Sequence, residues 1–160
     1  MTGVRLGTSE ITIEFYDASW IFDHFDLVKS CFPHLGHVDL EDVDLRVQGR
    51  SGVVVAKMGD LPIGFTIWYE TLPGTAYIWL TGVVREYRGR GIGLQLHKTL
   101  LRYLRDEGFD AVWFKAAKSK YRWIKRHISM GFRIIEHVRE ANVDIYKLAM
   151  VFDGKRVVVV

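Results

Sequence analysis

Fourteen residues constrain this chain more than any others: Val83–Leu96, VVREYRGRGIGLQL. An apolar run from Tyr77 to Val84 ends in a short basic, glycine-rich turn. A helix-like pattern opens directly behind it, from Ile92 to Glu107. A strand that passes through a glycine turn into a helix offers backbone N–H groups and the positive end of the helix dipole to an anion. Gly89, Gly91 and Gly93 let the backbone approach a ligand and adopt positive φ, and Arg88 and Arg90 add charge. Three glycines at a helix start are costly if they serve only as a turn. The dinucleotide fingerprint does not fit, because its spacing is absent and no acidic residue follows about 20 residues on to take a ribose. A P-loop does not fit either, since no Gly-Lys-Ser/Thr follows. The stretch reads as a cradle for a pyrophosphate.

What surrounds it fits one ordinary globular domain spanning residues 1–160, with residues 154–160 as an edge strand or tail. The chain is 49% hydrophobic and 26% charged, and long enough for a sizeable core. No apolar run approaches the roughly 18 residues of a membrane span. No basic-then-apolar leader opens the chain, so a cytoplasmic protein is expected. The lone cysteine, Cys31, excludes an internal disulfide and a cysteine-based zinc site within one chain, and reads as a buried filler. Charge is divided unevenly. Residues 1–50 hold four Lys/Arg and nine Asp/Glu, a net of −5, whereas residues 85–133 hold thirteen and four, a net of +9. A basic half around a glycine turn favours a polyphosphate ligand, and nucleic acid would use the same charge.

Taken in order, Ile11–Phe15 alternates as a strand. Asp17 or Ser19 is placed to cap a following helix with Trp20, Ile21, Phe25 and Val28 at helical spacing, ended by Pro33 and Gly36. Residues 34–45 read as a loop running into a short acidic helix, of the kind that shapes a substrate site. Strands follow at 52–57, 63–69 and 76–84, as a meander. The helix from Ile92 presents Ile92, Leu96, Leu100 and Tyr103 on one face and stops at Gly108. A strand at 111–116, a helix at 118–130 stopped by Gly131, and antiparallel strands at 132–138 and 143–152 complete the chain. The expected fold class is α/β (α+β): a mixed, mostly antiparallel sheet flanked by helices, with one parallel crossover around the glycine turn.

Val83-Val84-Arg85-Glu86-Tyr87-Arg88-Gly89-Arg90-Gly91-Ile92-Gly93 resembles the motif V-x-P-x-x-R-G-x-G-I-G of the GNAT superfamily of N-acetyltransferases, with Arg85 where the family usually has proline. The order of elements and the strand–helix–Gly131-Phe132 stretch fit the same family. The resemblance implies acetyl-CoA or another acyl-CoA as cofactor. It implies that the backbone of Thr81, Gly82 and Val83 pairs with the pantetheine arm. The turn Arg88, Gly89, Arg90, Gly91, Ile92 and Gly93, with Leu94, would hold the pyrophosphate. On charge alone, Lys120, Arg122 and Lys125 are placed as reaching for the adenine-ribose phosphate.

The family's tyrosine acid, four residues before the Gly-Phe pair, is replaced here by His127, and its asparagine by Lys120. His127 is therefore the expected proton donor to the leaving thiolate, with Tyr121 as the alternative; departure without an acid is also open. Glu70, closing the strand before the central one, is the first candidate for the base that deprotonates the amine, followed by His34, His37 and Glu41. The HLGH spacing is too weak for a metal site, and none is expected. His97 is expected to be exposed. The leading reading is an acyl-CoA-dependent N-acyltransferase acting on a primary amine, a small molecule or a protein. The acidic half, including Asp39, Glu41, Asp42 and Asp44, would favour a cationic acceptor. A homodimer is allowed and no membrane partner is expected. The alternatives are a non-catalytic CoA-binding module and a nucleic-acid binder or base-modifying acyltransferase, the latter through Lys115, Lys118, Lys120, Arg122, Lys125 and Arg126.

Overall fold

A computed structural model describes residues 2–6, 9–33 and 38–152. The chain is mixed α/β, with mostly antiparallel strands and flanking helices, as expected from the pattern. Its described residues fall into two compact units, one from Met1–Tyr69 with Leu80–Tyr103, the other from Glu70–Trp79 with Leu104–Val160.

In the first unit, β1 (Thr2–Leu6), β2 (Ser9–Tyr16), β3 (Ser51–Met58) and β4 (Leu61–Glu70) pair antiparallel in chain order. Val53, Val54 and Val55 of β3 are buried on both sides of the strand, as a β-branched run in an interior strand should be. The alternation of β4 separates its two faces. Gly64, Thr66 and Trp68 face α4 (Ile92–Asp106): a Cβ on Gly64 would lie 3.1 Å from Ile92 Cγ2, and the Trp68 and Tyr103 rings are 6.0 Å apart. Phe65 faces the other way, 5.9 Å from the Trp20 ring and 6.2 Å from Phe32. β1 has only the three-residue alternation Val4-Arg5-Leu6 to mark it in sequence; its place comes from pairing with β2. The first helical stretch is two helices, α1 (Ser19–Asp23) and α2 (Phe25–Cys31), rather than one. His24 leaves the helical region at φ −126°, its imidazole Nδ1 is 2.9 Å from the Trp20 carbonyl, and its ring stacks 4.3 Å from Trp20. α3 (Leu40–Arg46) is the expected acidic helix, started by a reciprocal Asp39–Asp42 capping box.

In the second unit, the first half of β5 (Thr75–Val83) pairs in parallel with β6 (Ala111–Ala117), from Thr75↔Ala111 to Ile78↔Phe114. β6 pairs antiparallel with β8 (Val143–Val151), and β8 with β7 (Arg133–Glu140). α5 (Tyr121–Ser129) is shorter than expected: Lys118 N–H donates to the Asp144 carbonyl at 2.8 Å and Lys120 N–H to Ala117 O at 2.9 Å before the helix begins.

α4 and α5 end alike. Gly108 and Gly131 take φ +85° and +113°. Phe109 N–H donates to Leu104 O and Gly108 N–H to Arg105 O, at 3.0 and 3.1 Å; Phe132 N–H donates to His127 O and Gly131 N–H to Ile128 O, both at 3.0 Å. Each is a Schellman motif whose following phenylalanine is buried. No described helix is long and apolar enough to cross a membrane.

Candidate functional site

The glycine turn is built stepwise. Val84 N–H donates to Ile63 O at 2.8 Å, which anchors the end of β5. A 3-10 turn follows at Arg85–Tyr87, closed by Tyr87 N–H on Val84 O at 2.8 Å and Arg88 N–H on Arg85 O at 3.2 Å. Gly89 and Gly91 then take φ +79° and +78°, a region L side chains rarely adopt, and an added Cβ at either would meet no atom within 4 Å. These glycines are demanded by backbone conformation rather than by crowding, and the space beside them is open to a ligand. The Gly91 carbonyl takes the first helical N–H, that of Gln95, at 3.0 Å. The N–H groups of Ile92, Gly93 and Leu94 thus precede the first intrahelical bond. No acidic side chain occupies the first turn of α4. Both arginines are exposed and folded onto local backbone: Arg88 Nε donates to Val83 O at 2.8 Å, and Arg90 lies 5.1 Å from the centre of the Tyr87 ring. N–H groups with two guanidiniums beside them suit a diphosphate.

Gly82 has a packing reason of its own. A Cβ there would lie 2.7 Å from Phe65 Cζ and 2.9 Å from Cys31 Cβ. Cys31 is half-buried, and burial pushes its thiol above the ordinary value while the Arg88 guanidinium pulls the other way. Thr81 turns its hydroxyl to the opposite face. Its Oγ1 lies 2.7 Å from Thr66 Oγ1 and 2.7 Å from His97 Nε2. His97 is only 1% exposed, which corrects the expectation of a surface residue. Its spacing to Leu100, Leu101 and Leu104 places it on the buried arc of α4, a signal the sequence already held.

The described candidates for proton transfer have the following surroundings. His127 is fully buried, with its ring 4.2 Å from Trp123, 4.7 Å from Phe114 and 5.4 Å from Phe132. Burial lowers its pKa to about 4, opposed only in part by the bond to the Trp123 backbone. A carbonyl can only accept, so Nδ1 carries the proton of the neutral ring and donates it to Trp123 O at 2.7 Å. The imidazole is then neutral at neutral pH, with its Nδ1–H engaged at the Trp123 carbonyl. Glu70 accepts the Gly74 N–H on Oε2 at 2.9 Å, within the hairpin where Gly74 takes φ +78°. That hairpin lies at the start of β5, whereas the glycine turn follows its end. Glu70 is a turn-closing carboxylate. Tyr121 is 59% exposed on the first turn of α5. Glu41 is exposed on α3, and His34 and His37 lie outside the described residues. Among the described residues, no three His, Cys, Asp or Glu side chains gather to hold a metal ion.

A sequence model of the acetyltransferase (GNAT) family matches residues 13–132. The chain belongs to that family. Among curated proteins none matches significantly. Solved structures share the fold of this GNAT chain. An IAA acetyltransferase from Bacillus cereus is 24% identical, over 89% of this chain and 99% of that one, with a TM-score of 0.69. The ribosomal-protein-S18-alanine N-acetyltransferase from Escherichia coli is 16% identical, over 93% and 99%, with a TM-score of 0.76. A GNAT family acetyltransferase from Elizabethkingia anophelis with acetyl-CoA bound is 21% identical, over 89% and 98%, with a TM-score of 0.68.

Proposed function

We propose that this GNAT protein transfers an acetyl or other acyl group from acyl-CoA to a primary amine, and that its residues work as one catalytic domain. The observation that carries the reading is the glycine turn: two left-handed glycines in open space, leading into a helix whose first N–H groups have no intrahelical acceptor, inside a family match that covers most of the chain. The acetyl-CoA bound to the similar Elizabethkingia protein supports the choice of cofactor. Acyl-CoA would supply the thioester, and attack by the amine forms the amide and releases the thiol. Arg88 to Leu94 would hold the pyrophosphate, with Arg88 exchanging the Val83 carbonyl for a phosphate oxygen. The backbone of Thr81, Gly82 and Val83 would pair with the pantetheine arm.

For proton transfer we place no weight on His127 or Glu70, which are engaged in the core and in the hairpin. Solvent takes the role of the acid. The base is sought in the 34–45 segment, among His34, His37 and Glu41. Exposed acids on α3 support a cationic acceptor by steering rather than by specificity.

A thiol-release assay with acetyl-CoA across a broad amine panel tests the reading. Turnover on at least one amine is expected, with Gly91→Ala weakening acetyl-CoA binding. His127→Phe should keep the rate, and loss of activity in a folded His127→Phe protein would restore that residue to the mechanism. Acetyl-CoA binding with no thiol release on any amine would favour the second reading, a CoA-binding module without turnover. The commitment of His127 and Glu70 to structure is what supports that alternative.

A further inference from the structure

α5 breaks the local rules for a stable helix. Its N-cap is Lys120, whose side chain caps nothing, and no acidic residue occupies its first turn. A cation at that end opposes the helix dipole. Arg122 is spaced three and four residues from Lys125 and Arg126, which sets like charges side by side on one face and destabilises the helix further. At 100° per residue, Tyr121, Lys125, Ser129, Arg122 and Arg126 share an arc of about 140°. All five are exposed, while Ile124 and His127 on the opposite arc are buried.

The acids of the second unit do not answer this charge. Glu140 pairs with Lys115 at 2.9 Å and Glu136 with Lys147 at 3.0 Å. Asp144 is shared by His137 and Arg139 and also feels Lys118. The hairpin acids are thus matched to strand and turn cations. Lys120, Arg122, Lys125 and Arg126 have no acidic partner among the described residues. Within the cluster visible in sequence, Lys115 is paired with Glu140, Lys118 feels only the shared Asp144, and the other four cations have no acid among the described residues. One aromatic ring stands among them: Tyr121 is 59% exposed, with the Arg122 guanidinium 6.0 Å from its centre.

We infer that this face of α5 binds the backbone of a single-stranded nucleic acid. Cations one helical turn apart are spaced to meet neighbouring phosphates, and a ring flanked by a guanidinium is a platform on which a base stacks. An acidic peptide would use the cations and gain nothing from the exposed ring, so the mixture favours the nucleic acid. The inference stands apart from the acyltransferase reading, because it uses neither the glycine turn nor any transfer step.

The test is fluorescence anisotropy of the full chain with labelled 20-nucleotide single-stranded RNA and DNA. Wild type should bind at low salt, with log K falling against log salt at a slope of about −2 to −3, the value for three or four phosphates on a single strand. The triple variant Arg122→Glu/Lys125→Glu/Arg126→Glu, checked for folding by circular dichroism, should bind at least tenfold more weakly. Tyr121→Phe should retain binding, whereas Tyr121→Ala should lose it several-fold with the salt slope unchanged. Absence of binding at 50 mM salt would overturn the inference, as would equal binding by the triple variant. Equally tight binding of a polyglutamate peptide would assign the face to acidic protein. Complete displacement by saturating acetyl-CoA would assign it to the cofactor.

Discussion

Two segments of this chain share one layout and differ in what it is used for. β5 turns into α4 and β6 turns into α5, and each helix ends in a Schellman motif with a Gly-Phe pair and a buried phenylalanine. Each also carries a buried histidine. The starts differ. α4 opens through two left-handed glycines, with no acid on its first turn, and its histidine joins a chain of hydroxyls from Thr81 to Thr66. α5 opens on Lys120 without a glycine, and its histidine sits in an aromatic cage with Nδ1–H on its own helix. A helix end is settled by local backbone chemistry and recurs wherever that chemistry recurs. A helix start is free to differ, and there one segment opens through left-handed glycines and the other through exposed basic residues.

The comparison breaks first at His127. His127→Ala should cost roughly 3–4 kcal/mol in urea unfolding at pH 7, the range for truncating a large buried ring; a loss below about 1 kcal/mol would mean the cage is not core. Next comes pH. With the folded pKa at about 4 against the ordinary 6.5 of a histidine, the unfolded chain takes up a proton that the folded protein refuses. Stability from this group is complete above pH 6.5. It falls as pH drops toward 4, by roughly 3 kcal/mol, and has no further slope below that. His127→Phe should flatten this part of the pH–stability curve, and an unchanged curve would place the titration elsewhere.

A smaller effect separates the other histidine. His97→Leu removes the partner of Thr81 and should cost about 1–2 kcal/mol, since Thr66 and Thr81 keep each other. A double-mutant cycle with Thr81→Val should show the two losses to be non-additive. The smallest effects sharpen the contrast between start and end. Gly89→Ala and Gly108→Ala should each lose about 1 kcal/mol, because both carry positive φ with no atom near an added Cβ. Calorimetry should find weaker acetyl-CoA binding in the first and unchanged binding in the second; equal binding in both would remove the turn from the cofactor site.

Much of this was legible before folding. The glycine turn, the stops at Gly108 and Gly131, and the antiparallel strands follow from residue types whose preferences are local, so their positions held. The break at His24 is invisible in the apolar spacing, which runs on through it, while its imidazole turns back to Trp20. β1 is faint because its signal lies mainly in its partner. The candidate catalytic residues were the least legible. Glu70 and His127 have the right chemistry by type, but a hairpin N–H engages one and three aromatic rings enclose the other.

By itself, the sequence determined the mixed fold, the family and the backbone form of the glycine turn, because glycines and helix starts act through their immediate neighbours. Only the tertiary structure decided which titratable side chains are buried and which cations of the basic half remain unmatched among the described residues. Protonation and pairing depend on burial and on groups brought from other elements, and no local pattern encodes either.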